Sequence, residues 1–418
     1  MSATVSSGQI LNKIVFALAC FALASVSLAS NVRNYRATRL ADGDPGHLRQ
    51  AITLTPGNAA FHHRLGQDLF FTQHDAVGAI EHYRRAAELN PQAAANWLEL
   101  ALAHQALGQT SQQRHALQRA LAADPRNPNV AWEAAQQYLA AEQSEIALRQ
   151  MRVVIEHDAV KAPAAMDLAW RTSHDAGVML RDAIPSTANG RLAFLSYMVE
   201  REEPAGAALA WAELIKLNQK FSPGPALPYV EFLLTSKHAD PSGALAVWRV
   251  LQGLDSNFPA LVEPSTIVNG GFEQTIVNSG LDWRWAPVAG VSAAIDVNDG
   301  HTGSKSLAIV FDGTPTADAG VFQYLALQPS ARYEFSAYVR NAFISGPGGL
   351  RFAISDVRSR KPYYISGLLP ETDSWQLVRG TFQTPKTVGT AMLAIVHTPA
   401  GQPFRGSFWI DDLELIGK

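Results

Sequence analysis

The sequence predicts a multidomain chain: an all-α solenoid of helical repeats, then an all-β two-sheet sandwich, with a membrane anchor at the N-terminal end. Three observations carry this reading. An apolar run covers residues 14–29, proline-terminated segments recur every 34 or 35 residues, and beyond residue 262 a helical period gives way to alternation of two.

The chain has 418 residues, room for two or three domains. Charged residues make up 17% and the net charge is −3. Lys and Arg are dispersed without forming a stripe, so nucleic acid is not an expected partner. Cys20, the single cysteine, lies inside the apolar run. The rest of the chain therefore has no thiol for a disulfide, a thiolate metal site or a cysteine nucleophile.

The N-terminal segment, 1–39, holds the anchor. Its core, 14–29, is apolar apart from Ser25 and Ser27, and Lys13 supplies a thin positive start. Sixteen residues suit a short span or a long signal-peptide core. Retention as a single-pass anchor and cleavage after Ser27-Leu28-Ala29 both remain open. Arg33, Arg36 and Arg39 follow the run, and the positive-inside rule would hold that side in the cytoplasm. The C-terminal domain argues the other way, for a bacterial-type inner membrane with the body in the periplasm, or for secretion after cleavage.

Residues 40–257 show the repeat through its punctuation. Ala-Ala-Glu-Leu-Asn-Pro ends at Pro91 and Leu-Ala-Ala-Asp-Pro at Pro125, 34 residues on; Leu-Thr-Pro ends at Pro56, 35 residues before Pro91. Proline ends each second helix because it cannot continue the hydrogen-bond ladder. Trp97, Leu100 and Ala101 share one helical face, Gly108 marks a turn, and Leu117 and Ala120 line the next helix. An earlier unit offers Leu65, Gly66, Ala79, Tyr83 and Ala86. A third, at 128–158, has Ala159 where the proline is expected. Further on, Pro204 leads to Trp211 and Pro241 to Trp248, each at an offset of 37 residues between the two copies, which predicts more helix pairs. At their packing positions these units resemble the tetratricopeptide family. Such arrays bind extended segments of other proteins, which makes a protein partner the expectation. Tyr83, Trp97, Trp211 and Trp248 are expected in the core.

Residues 262–418 form the β domain. Asn278-Ser-Gly280, Asn298-Asp-Gly300 and Gly346-Pro-Gly-Gly349 mark turns between alternating runs at 306–311, 333–340, 350–354, 375–382, 391–396 and 407–415. In the second run Tyr333, Phe335, Ala337 and Val339 share one face, with Glu334, Ser336, Tyr338 and Arg340 on the other. Strands at this spacing without intervening helices predict a jelly-roll sandwich.

The order of motifs resembles carbohydrate-binding modules of families 4, 9 and 22. It runs from Asn269-Gly-Gly-Phe-Glu273, where left-handed backbone is expected around the glycines, through Gly280 with Trp283 and Gly303-Ser-Lys-Ser-Leu307. Gln323 then leads through Pro329 to Tyr333-x-Phe-Ser-Ala337, and Trp375 precedes Gly380-Thr-Phe382. Gly406-Ser-Phe-Trp-Ile-Asp-Asp412-Leu-Glu-Leu415 closes the domain. The resemblance implies a structural calcium (Ca2+) held by Glu273 and Asp411 with backbone carbonyls. It also implies a carbohydrate site on the concave sheet or its rim. Tyr338 and Arg340 have the outward parity for it, with Arg351 and Gln323 as neighbours and Trp285, Tyr363 and Tyr364 at the rim. Trp283, Trp375 and Trp409 are expected to pack.

Gly-x-Ser-x-Gly, His-Glu-x-x-His and phosphate-loop patterns are missing from the sequence, and the histidines are scattered. A non-catalytic envelope adaptor is the expected function. It would bind a protein through its repeats and a polysaccharide or oligosaccharide through its sandwich, in polysaccharide assembly or export. The alternative is a purely protein-binding scaffold whose sandwich serves for docking or structure.

Overall fold

The computed structural model describes residues 7–42 and 44–418, with side chains from Val15 onward. Residues 1–6 of the N-terminal segment and the side chain of Lys13 lie outside the described residues. The chain divides into two compact units, one ending at Pro185 and the other running from Ser186 to Lys418.

The first unit opens on α1 (Ser7–Ala41). Its stretch Val15–Ala41 reaches a mean hydropathy of 2.0 and is long enough to cross a membrane. Val15, Phe16, Leu18, Phe21 and Leu23 are exposed. The helix continues past the apolar run and packs against α2 (Pro45–Leu54), where Ala37, Ala41, Leu48 and Ala51 are buried. The apolar helix is therefore also the first packing element of the repeats.

Helix pairs follow: α3 (Ala59–Gln67) with α4 (Ala76–Leu89), α5 (Ala94–Ala106) with α6 (Thr110–Ala123), and α7 (Pro128–Ala140) with α8 (Ser144–His157). Then come α9 (Ala162–Ser173) and the short α10 (Ala176–Val178), which runs into a wider turn at Met179–Ala183. Close approach within a pair depends on small residues. A Cβ on Gly66 would lie 2.7 Å from the ring of Tyr83, which is fully buried. The period survives at Ala159 because Asp158 replaces proline as the stop. Its Oδ1 accepts from the N–H groups of Val160 and Lys161, both at 3.0 Å, and turns the chain into α9.

In the second unit α11 (Ala188–Glu200) pairs with α12 (Pro204–Lys216), and α13 (Leu227–Thr235) with α14 (Pro241–Leu254). The echoed Pro204 and Pro241 both open helices. Trp248 is fully buried, whereas Trp97 and Trp211 are half-buried.

The sandwich has ten strands: β1 (Arg284–Trp285), β2 (Val291–Asp296), β3 (Ser306–Thr316), β4 (Asp318–Leu325), β5 (Arg332–Ser345), β6 (Gly349–Asp356), β7 (Pro362–Ile365), β8 (Gln376–Gln383), β9 (Ala391–Thr398) and β10 (Gln402–Gly417). They form two antiparallel five-stranded sheets, ordered β1-β4-β9-β6-β7 and β2-β3-β10-β5-β8. Phe335, Phe352, Phe311, Leu393 and Ile410 meet between them. The parity read along β5 holds: Tyr333, Phe335, Ala337 and Val339 are buried, and the residues between them face outward.

Helices α13 and α14 are joined to the sandwich. Trp248 donates to the Pro259 carbonyl at 3.1 Å and lies against Phe258, 4.6 Å between centroids. Gly280, at φ +61°, comes so close that a Cβ would lie 2.5 Å from the Trp248 ring. Arg284 of β1 forms a two-point ion pair with Glu231 of α13, and Thr390 donates to the Leu234 carbonyl at 2.6 Å. The compact unit thus begins at Ser186, whereas the helical period in the sequence ends near residue 257.

Candidate functional site

The Asn269-Gly-Gly-Phe-Glu273 turn organises one end of the β domain. Its left-handed residues are Asn269 (φ 49°) and Phe272 (φ 57°), and not the glycines. Gly270 is required for another reason. A Cβ there would sit 2.1 Å from the Leu413 carbonyl oxygen, and Leu413 N–H donates to Gly270 at 3.0 Å. Phe272 offsets its unfavourable backbone by burying its ring 5.1 Å from Trp283, whose indole N–H donates to the Asn269 carbonyl at 3.1 Å.

Two carboxylates beside this turn hold the loop that leads into β3. Glu273 accepts from the N–H groups of Ser304 (2.7 Å) and Lys305 (2.8 Å). Asp411 accepts from the N–H groups of His301 (2.7 Å), Thr302 (3.2 Å) and Asp412 (2.8 Å). Burial, and then the charge of Asp412, push the Asp411 carboxyl up to about 6 against the pull of those donors. The pair expected to hold calcium thus serves as acceptors for N–H groups. Among the described residues no group of three or more His, Cys, Asp or Glu is placed to hold an ion.

The loop they hold carries His301 onto the outer face of the sheet β2-β3-β10-β5-β8. Its imidazole stacks on Tyr338, centroids 3.5 Å apart and planes 13° apart, with Nδ1 2.6 Å from Asp412 Oδ2. Trp375 meets the imidazole edge-on at 5.9 Å. Beside them the Arg340 guanidinium lies 4.2 Å from the Trp409 ring centroid and 5.5 Å from that of Trp375, and forms an ion pair with Asp299. Trp409 donates its indole N–H to Asp296 at 3.0 Å. An open depression of about 770 Å³ adjoins this assembly, bordered by Asn269, Gly271, Glu273, His301, Tyr338 and Arg379. Half-buried rings with fixed polar neighbours beside open space can stack on the C–H face of a ring-shaped ligand and bond to its hydroxyls.

The other residues expected at the carbohydrate site are elsewhere. Gln323 faces the core with Val321 and Leu325; it is fully buried, and its amide bonds to both backbone groups of Val268, at 3.1 and 2.9 Å. With both ends occupied it is a bracket for the Asn269 turn and cannot read a hydroxyl. Tyr364 packs against Phe335 and Phe382, centroids 5.7 and 5.5 Å away, at the core edge where β7 meets β8. Arg351, Trp285 and Tyr363 belong to the opposite sheet. Arg351 donates to the Ser366 carbonyl at 2.7 Å, Trp285 is partly buried against the core, and the Tyr363 hydroxyl donates to Asp356 at 3.0 Å. Only Tyr338 and Arg340 of the expected set come together. Trp375 and Trp409, expected to pack, join them instead. The parity of Trp409, between core-facing Phe408 and Ile410, already pointed outward.

Residues 264–402 match a family model described as a carbohydrate binding domain. Among solved structures the chain is similar to a CBM4 module (17% identity, 36% of this chain, 99% of that one, TM-score 0.29). It is also similar to MamA (15%, 46% and 92%, TM-score 0.29). A third is the TPR2B domain of yeast Sti1 in its Hsp70 complex (21%, 28% and 97%, TM-score 0.25). No curated protein matches. The chain combines tetratricopeptide-like repeats with a C-terminal domain that resembles carbohydrate-binding modules. The repeat character rests on helix starts at Ala59, Ala94, Pro128 and Ala162, and the module character on the matched family model.

Proposed function

We propose that this chain is a non-catalytic, membrane-anchored adaptor that binds a glycan across the outer face of the sheet β2-β3-β10-β5-β8 and a protein partner along its repeats. The observation that carries the glycan reading is the assembly of Tyr338, Trp375 and Trp409 around Arg340 and His301, held outside the core beside the open depression. Sugars are recognised by this combination of stacking rings and hydroxyl-reading polar groups. The match to the carbohydrate binding domain model supports the same reading. The apolar stretch of α1 supports retention in a membrane, and a glycan ligand favours a body outside the cytoplasm, in polysaccharide assembly or export.

Affinity electrophoresis of the full chain in detergent, against gels containing β-glucan, xylan or bacterial exopolysaccharides, tests the glycan claim. Retardation by at least one polymer is expected. Free migration through every gel would favour the protein-docking role for the sandwich. Protease added to spheroplasts tests the placement: both units should be digested before lysis, and protection until lysis would put the body in the cytoplasm.

A further inference from the structure

The arginines that follow the apolar run have no part in the function argued so far. Arg33 and Arg36 are exposed on α1, and among the described residues neither side chain forms an ion pair or a hydrogen bond. Arg39, by contrast, donates to the Tyr35 hydroxyl at 3.2 Å and lies over its ring. About 20 helical residues cross the hydrocarbon core of a bilayer. Counted from Val15, where the apolar stretch begins, they end near Asn34. A membrane crossed by α1 would therefore have its headgroups at the level of Arg33 and Arg36.

The helix is not bare at that level. Leu28, Val32 and Arg36 recur every four residues, with Ala29 and Arg33 beside them, so they form one stripe of α1. Leu54, the last residue of α2, stands against this stripe, and together they border an apolar trough of about 540 Å³. A polar depression of about 850 Å³ adjoins the trough: Arg33 and Leu54 border both, and Asn34, Asn58 and Asn90 border the polar one. One space suits a hydrocarbon chain and the other a hydrated polar group, with unpaired guanidiniums where they meet. A guanidinium offers parallel N–H donors to two oxygens of a phosphate. Among the described residues no carboxylate borders either space, so nothing there attracts a choline ammonium and the net charge favours an anionic headgroup.

We infer that the junction of α1 and α2 is a site for one anionic phospholipid. An acyl chain would lie along Leu28 and Val32 against Leu54, the phosphate between Arg33 and Arg36, and the headgroup toward Asn58 and Asn90. This rests on the reading of α1 as a retained span and adds the class of lipid held beside it.

Native mass spectrometry of the full chain tests this, after titration in detergent with phosphatidylglycerol or with phosphatidylcholine of the same acyl chains. Phosphatidylglycerol should stay bound, with at least about tenfold preference over phosphatidylcholine. Arg33→Gln with Arg36→Gln should lower phosphatidylglycerol affinity by at least about tenfold. Arg39→Gln with Arg49→Gln removes the same charge and should leave that affinity nearly unchanged. Both double variants should melt like the wild type, since all four side chains are exposed. Equal losses in the two double variants would overturn the inference by assigning binding to diffuse charge, and so would equal retention of the two lipids. The intact mass of the chain isolated from membranes separates this inference from the reading beneath it. A chain that has lost residues 1–29 has no retained span, and both fail. A full-length chain that holds no phosphatidylglycerol overturns the lipid site alone.

Discussion

The Arg340 guanidinium lies 4.2 Å from the centre of the Trp409 indole, on a sheet face where neither residue contributes to the core. The Trp375 ring centroid lies 5.5 Å from the same guanidinium, and Asp299 pairs with its charge. A cation in contact with two indoles helps to fix both rings before any ligand arrives, which lowers the ordering cost of binding. Arg340→Ala should therefore reduce glycan affinity about tenfold, through lost hydrogen bonds and loosened indoles together. Calorimetric titration and a melting curve on the same sample check this. A large drop in melting temperature would show that Arg340 acts mainly in folding.

Gly280 tests the joint between α14 and the sandwich. An alanine there would place its Cβ 2.5 Å from the Trp248 ring at a backbone φ of +61°. Gly280→Ala should cost about 2–4 kcal/mol of unfolding free energy, combining overpacking with left-handed strain. For the same reason a fragment starting at Ser186 should melt in one transition, and at a higher temperature than one starting at Glu263. Equal melting of the two fragments would show that α11–α14 contribute nothing to the sandwich.

The buried acid Asp282 makes this unit sensitive to pH. It is fully buried, and burial pushes its carboxyl up to about 7 even though it accepts from Val277 N–H at 2.7 Å. The folded state then holds a proton that the unfolded state releases above its ordinary value of 3.8. Stability should accordingly be greatest at low pH within this window and fall as pH rises from about 4 to about 7, by on the order of 3–4 kcal/mol from this group. Asp411, also raised, contributes with the same sign. Denaturant midpoints measured across that range should show a slope that Asp282→Asn flattens. An unchanged slope in the variant would rule out Asp282 as its source.

Calcium gives a separate test. Glu273 and Asp411 already accept five backbone N–H donors from Ser304, Lys305, His301, Thr302 and Asp412. Their geometry predicts that chelator leaves the wild-type melt unchanged, and that Glu273→Ala costs only about 0.5–1.5 kcal/mol, because the Ser304 and Lys305 N–H groups it accepts from are exposed and water replaces the carboxylate. A melt that falls with chelator and recovers with calcium would establish the ion that the family resemblance implies.

Much of this was legible in the sequence because it is local. The 34-residue period, the prolines that open α12 and α14, and the alternation along β5 each need only neighbouring residues. The misplacements have two sources. Gln323 shares the inward parity of Val321 and Leu325, and Trp409 the outward parity opposite Phe408 and Ile410, so alternation alone was enough to place both. Strand order and long-range contact were not legible. Arg351 lies on the sheet opposite Tyr338 because β6 pairs with β9 and not with β5. The stacking of His301 on Tyr338, and the seat of Gly280 on Trp248, join segments that no sequence period connects.

Trp409 offers the most direct measurement of glycan binding at this face. Its ring is half-buried and outward, so Trp409→Ala should leave the fold standing while removing one of the two indoles of the assembly. Titration of the full chain with whichever polysaccharide retards it should show affinity reduced about tenfold or more in Trp409→Ala, with a melting temperature close to that of the wild type. Undiminished affinity in a folded Trp409→Ala protein would contradict the assignment of this face as the glycan site.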